Sequence, residues 1–182
     1  MRVLGIDPSL TSTGIAIITD TTAPHVETYG RGPAGDDPTA RYHRLHHTAQ
    51  RVAQLLVQPN LVIIERPAYD SRTGSQHDRS GLWWMIIQSC VYAGVRVIEV
   101  SPSTVKKYAT GKGNAGKDEV LAAVVRRYPD APVSNNNEAD ALVLALIGAR
   151  LIGRPVDAPP KTHLDALKAL PTVHLEQAQG TA

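Results

Sequence analysis

Leu61-Val62-Ile63-Ile64 offers water no polar side chain, and Pro59-Asn60 and Arg66-Pro67 fence it at both ends. So short an apolar run reads as a strand buried on both faces, and such strands lie at the centre of α/β sheets covered by helices on two sides. The run ends directly in Glu65. The rest of the chain supplies a sheet to put around it. Val3, Leu4 and Ile6 make one short apolar run, and Gly14 to Ile18 a second, joined by a Thr/Ser-rich turn; the pair reads as a hairpin. Val26 to Gly30 and Val95 to Val100 read as two more strands. Asp37-Pro38 is a helix start, and Tyr42, Leu45, Ala49, Val52 and Leu56 follow at helical spacing. Further helices are expected over Leu82 to Ala93, Ser101 to Tyr108, Lys117 to Tyr128 and Glu138 to Ile152, with a loop from Tyr69 to Ser80. The order is three strands, helix, strand, helix, strand, then helices. It predicts an α/β fold with a mixed five-stranded sheet, an antiparallel hairpin at one side, parallel strands at the other, and flanking helices.

Composition sets the class. The chain has 182 residues, 42% of them hydrophobic and 20% charged, enough to bury one core and too apolar for a disordered chain. Residues 1–153 read as one unit. From 154 to 182 the chain turns Pro-rich and polar, and Leu164, Leu167 and Leu170 allow a short helix before it frays. Cys90 is the single cysteine, which excludes an intrachain disulfide framework and a multi-cysteine metal site. No apolar run reaches the ~18 residues of a membrane helix, and MRVLGIDPSL lacks the apolar stretch of a signal peptide. A cytoplasmic protein without membrane contact is the expectation.

Acids stand at the ends of these elements. Asp7 and Glu65 each follow an apolar strand, and Asp140 lies in the first turn of an apolar helix, two residues after Glu138. Ligands of α/β sheets gather outside the carboxyl ends of the parallel strands. One acid alone is more often a turn former or a helix cap. Three at the ends of one sheet would repel one another unless neutralised, and Mg²⁺ or Mn²⁺, which prefer oxygen ligands, would do so. Two such ions can activate a water and stabilise the leaving oxygen in phosphodiester hydrolysis.

Basic residues concentrate in one stretch. Between 96 and 127 there are seven (Arg96, Lys106, Lys107, Lys112, Lys117, Arg126, Arg127) against three acids, a surplus of four where the whole chain carries +2. That suits a surface facing nucleic-acid phosphates. Gly111-Lys-Gly-Asn-Ala-Gly-Lys117 nearly matches a nucleotide-binding P-loop, but Asp118 replaces the required Ser or Thr, so no nucleotide is expected. The loop, Lys112 included, can still hold a DNA phosphate through backbone N–H groups. Arg72, His77 and Arg79, in the loop after Glu65, are placed to touch backbone phosphates. Trp83 to Ile87 is apolar beyond one helical stripe, so one side packs on the sheet and the other calls for a partner, a homodimer through the 80–94 helix.

Gly5-Ile-Asp-Pro-Ser9 with Thr13-Gly14, Ile64-Glu65, Val105-Lys106-Lys107, the Gly111–Lys117 segment and Ala139-Asp-Ala-Leu142 together resemble the RuvC family of Holliday junction resolvases, over about residues 1–153. The resemblance implies the RNase H-like fold. It implies Asp7, Glu65 and Asp140 as ligands of two Mg²⁺ ions, with Mn²⁺ able to substitute. Lys117 would reach the scissile phosphate and Lys106 the junction backbone. Tyr69 lies near where the family carries an aromatic that intrudes at the junction centre, where it would stack on an unpaired base. A homodimer would nick two symmetric strands of a four-way junction, in DNA recombination and repair. One departure stands out. Many members place an acid or a His three residues before the last Asp, where this chain has Asn137, and the acid here is Glu138. Positions 137 and 140 share a helical face and 138 does not. Glu138 is the expected fourth acid, with Asn137 as the competing neutral ligand. The run Asn-Glu-Ala-Asp is similar to phage-type members, which points to a bacterial or phage-infected cell.

Three rivals remain open at this stage. One is a nuclease of the same fold acting on flaps, forks or RNA–DNA hybrids. Another is an ATPase of the actin and sugar-kinase type, which shares the Gly-Ile-Asp opening. The last is an inert junction-binding protein, disfavoured because all three principal acids are present.

Overall fold

The structure, a computed structural model, describes residues 1–67 and 75–173. Strands β1 (Arg2–Asp7), β2 (Thr13–Thr19), β3 (His25–Tyr29), β4 (Leu61–Glu65) and β5 (Val97–Val100) form one sheet in the order β3-β2-β1-β4-β5. β1–β2 and β2–β3 are antiparallel, whereas β1–β4 and β4–β5 are parallel. The expected mixed sheet, hairpin and element order are present. β4 lies between two parallel neighbours, and Leu61 to Ile64 are all 0% exposed. Their alternation feeds two cores. Leu61 and Ile63 join Val3, Ala16 and Ile18 under α3 (Pro102–Thr110), α4 (Lys117–Arg127) and α5 (Asn136–Leu151). Val62 and Ile64 join Leu4, Ile6, Ile15 and Ile17 under α1 (Pro38–Leu55) and α2 (Gln76–Tyr92). Each fully buried side chain of that size contributes roughly 1.5–3 kcal/mol.

α5 is the helix nearest the sheet, and glycine lets it in. A β-carbon on Gly5 would run into the backbone of Ala141 and Ala145, and one on Gly14 would lie 2.6 Å from the Asn137 carbonyl carbon. Gly148 answers from the helix side, since a β-carbon there would stand 2.6 Å from Val3 Cγ1. The start of α5 is thereby pressed against the carboxyl end of β1.

Some boundaries differ from the sequence reading. α2 begins at Gln76, inside the expected loop, because the polar residues of its first turn face a neighbour: Asp78, 9% exposed, takes two bonds from the Arg41 guanidinium of α1. α5 begins at Asn136, so Asp140 falls in its second turn rather than its first. After Arg154 the chain packs back on the body through the short helix α6 (Lys161–Leu164) and a 3-10 turn (Asp165–Ala169). Cys90 is fully buried, as expected of a small hydrophobe.

Candidate active site

Strand parity places the acids. Val3, Gly5 and Asp7 share the face of β1 that meets α5, and Leu61, Ile63 and Glu65 share the same face of β4. The parallel register pairs Gly5 with Ile63 and Ile6 with Ile64, so one further step sets Asp7 beside Glu65 at the carboxyl ends of both strands. Asp140 meets them from α5, one residue before the Ala141 that lies on Gly5.

The charges are poorly matched. Burial raises the Asp7 carboxyl to about 7, with Asp140 adding to the rise and Lys117 opposing it. Glu65 is pushed to about 9, by burial first and then by Asp7 and Asp140, against Lys106 and Lys117. Asp140 reaches about 6 through burial, moderated by Lys117 and Lys106. No hydrogen bond contributes to any of the three shifts. Three neighbouring carboxyls all raised well above the usual carboxylate range are a mark of a functional site.

Around them opens a cleft of about 730 Å³, lined by Asp7, Ser9, Glu65, Lys117 and Asn137 on one side and by Gln76, Arg79, Trp83 and Trp84 of α2 on the other. Its floor is built locally. Thr13 donates to the Ser9 carbonyl at 2.8 Å and closes the β1–β2 turn, and Asn137 Nδ2 donates to the Ser12 carbonyl at 2.6 Å. Lys117, at the first position of α4, and Lys106, on α3, act on the acids through space by their charge. The glycine-rich segment between them follows a helix, not the strand of a P-loop.

The other expected residues fall elsewhere. Glu138 is turned into a helix cap: its Oε2 accepts from Ser134 N at 2.7 Å and Ser134 Oγ at 2.8 Å, while its own N–H goes to Asn135 Oδ1. This is a variant of the capping box, with the return bond made to Ser134 rather than to the N-cap Asn135 itself. Neither Glu138 nor Asp140 lines the cleft, whereas Asn137 does. Lys107 lies on the tail side of α3, where its charge acts on Asp165. Lys112 pairs with Glu119 at 3.1 Å on the surface. Tyr69 and Arg72 lie outside the described residues. Sequence reasoning missed Trp83, whose indole N–H donates to the Glu65 carbonyl at 3.1 Å and so fixes the backbone that carries the acid; only the helical phase of α2, which turns Trp83 inward and Trp84 outward, could have singled it out.

The donor set suits a hard cation, being all carboxylate oxygen. Among the described residues no three His, Cys, Asp or Glu side chains are gathered closely enough to hold an ion as they stand. Mg²⁺ commonly takes one or two carboxylates and fills its shell with waters and substrate phosphate oxygens, so the residues fit such an ion without forming a closed cage.

Comparison with known proteins points the same way. The family model described as crossover junction endodeoxyribonuclease RuvC matches residues 3–148. The crossover junction endodeoxyribonuclease RuvC of Synechococcus sp. (strain WH7803) is 31% identical, covering 81% of this chain and 97% of the relative. That of Zymomonas mobilis is also 31% identical, covering 82% and 90%. Among solved structures, Thermus thermophilus RuvC in complex with Holliday junction substrate superposes with a TM-score of 0.63 at 22% identity, over 80% of this chain and 90% of the other, a likeness of fold. The chain belongs to the RuvC family of crossover junction endodeoxyribonucleases.

Proposed function

We propose that this protein is a divalent-cation-dependent endonuclease that cuts four-way DNA junctions by paired symmetric nicks. The observation that carries this reading is the placement of Asp7 beside Glu65 at the carboxyl ends of β1 and β4, with Asp140 raising both carboxyls and Lys117 opposing the rise. Membership of a family whose relatives are named crossover junction endodeoxyribonucleases supports the chemistry. Among the structural neighbours, one is a complex with a Holliday junction substrate and another a fowlpox virus Holliday junction resolvase; the latter superposes with a TM-score of 0.51 at 14% identity over 82% of this chain and 99% of its own.

Asp7, Glu65 and Asp140 would hold two Mg²⁺ ions, with Mn²⁺ as a substitute. When bound, such ions supply an activated water and stabilise charge on the leaving oxygen. The three carboxylates orient that reaction at the strand ends, and Trp83 keeps Glu65 in line. Lys117 neutralises the scissile phosphate, and Lys106 the adjoining backbone. Asn137, on the helical face of Asp140 and lining the cleft, takes the fourth position in place of Glu138. Tyr69 stands as a DNA contact on the resemblance alone, and Arg72 on its place in the basic stretch after Glu65.

A homodimer follows from the symmetry of the product. Trp84, Val91 and Tyr92, 64%, 65% and 82% exposed, form an outward apolar stripe on α2, which supports pairing through the 80–94 helix. The sequence relatives from Synechococcus and Zymomonas are bacterial, which supports a cytoplasmic setting. Among the described residues no helix is long and apolar enough to cross a membrane.

The test is cleavage of a labelled mobile four-way junction beside a flap, a fork and a plain duplex of the same sequence, with Mg²⁺ and with chelator. Symmetric nicks confined to the junction are expected. Equal cutting of flaps or forks would move the protein to a broader branched-DNA role, and tight binding without cutting would make it an inert binder.

A further inference from the structure

The segment after α5 lies beyond the stretch matched by the family model, which ends at residue 148. Asp157 is its most constrained side chain, 2% exposed. Tyr108 of α3 donates its hydroxyl to both carboxylate oxygens at 2.9 Å, and Tyr128, just past α4, donates at 2.7 Å. Arg150 of α5 donates to Oδ1 at 2.8 Å and to the Asp157 carbonyl at 2.5 Å. One carboxylate thus ties three helices together. Six residues on, His163 is 8% exposed, and its Nδ1 lies 2.8 Å from the Tyr108 carbonyl and 3.3 Å from Arg127 Nη2. Its ring also fills the space at Gly111, the left-handed residue (φ 83°) that ends α3; a β-carbon there would stand 3.1 Å from His163 Nε2.

Apart from the Arg150 bonds, which anchor Asp157 to α5, these contacts converge on one unit, the one that runs from α3 through the glycine-rich loop to α4. That unit carries Lys106 two residues before Tyr108, and Lys117 at the head of the helix that Tyr128 follows. A buried carboxylate is not needed for stability alone, since apolar packing does that as well. Directional bonds instead fix orientation.

We propose that the 154–173 segment is a brace for the lysine-bearing unit, and that Asp157 is a positioning residue for Lys106 and Lys117 over the DNA backbone. The role rests on the nuclease reading given above. It needs no contact between Asp157 and DNA.

Two variants test it, Tyr128→Phe, which removes one hydroxyl and keeps the ring, and Asp157→Asn, which keeps the acceptor and removes the charge. Junction affinity is measured in chelator across a salt series, and single-turnover cleavage at saturating protein, both normalised to the folded fraction. The slope of log affinity against log salt counts phosphates engaged. The brace requires that slope to shrink by about one contact or more, and the single-turnover rate to fall roughly ten- to a hundredfold, as misplacement by an ångström can do. Variants that melt earlier but keep the wild-type slope and rate would reduce Asp157 to a stabilising residue and overturn the proposal. If the unmutated chain neither binds nor cuts junctions, the nuclease reading falls, and the brace falls with it. A normal wild type beside unaltered variants overturns the brace alone.

Discussion

Two sets of buried or half-buried carboxylates flank α5, and they are treated in opposite ways. Asp157, at its far end, has two tyrosine hydroxyls and a guanidinium pointed at it. Asp7, Glu65 and Asp140, at its near end, crowd one another, and their carboxyls are driven up to about 7, 9 and 6. A carboxylate that holds a fold together is given donors. Carboxylates left to repel one another, opposed by lysines, destabilise the chain on its own, as the proposed cation site requires. The same chemical group is thus structural or functional according to what surrounds it.

The same substitution should therefore act with opposite sign at the two ends. Asp7→Asn should remove essentially all cleavage: losing several kcal/mol of cation-dependent stabilisation is worth roughly a thousandfold in rate. Junction binding should persist, and thermal melting in chelator should rise, because a repelling charge is gone. Asp157→Asn should instead leave Arg150 facing no charge and cost about 3 kcal/mol, a fall in Tm of roughly 6–12 °C by calorimetry. Equal shifts of one sign would erase the distinction. Lys117→Ala should slow single-turnover cleavage about ten- to a hundredfold, since one positioned donor is typically worth that much or more. It should also move the pH–rate profile upward, because Lys117 holds all three acids down. A change in salt-dependent affinity alone would make it a docking contact. Glu138→Gln should do least. As a cap it should cost about 1 kcal/mol or less in stability and leave the rate within a few-fold; a collapse in rate measured beside Asn137→Ala would return Glu138 to the metal site.

Much of this was legible before any coordinates. The four residues of β4 announced a two-sided core, and Asp7 and Glu65 were placed by nothing more than the ends of apolar runs. What escaped has physical reasons. Gln76 to Ser80 looked like loop because its helical partner, Arg41, lies far away in sequence. That the Glu138 carboxylate caps α5 could not be read in advance, because an acid beside Asp140 cannot be told from a capping residue until the helix start is known, and that start is Asn136. The leucines at 164, 167 and 170 do pack on the body, but the bonds that Asp157 accepts and the contact His163 makes carry no sequence spacing that would announce them.

The direct test is calorimetric titration of Mg²⁺ into divalent-free protein at pH 7, in two buffers of different ionisation heat, for the wild type and Asp7→Asn. Acids raised in the folded chain bind protons that the unfolded chain has released, so stability without cation falls as pH climbs from about 4 through 6, 7 and 9. A cation that takes those carboxylates must displace the protons. Release of roughly one to two protons per chain is expected, with affinity that strengthens with pH and is lost in Asp7→Asn. Binding without proton release, or binding that survives Asp7→Asn unchanged, would contradict the assignment of Asp7, Glu65 and Asp140 as the cation site.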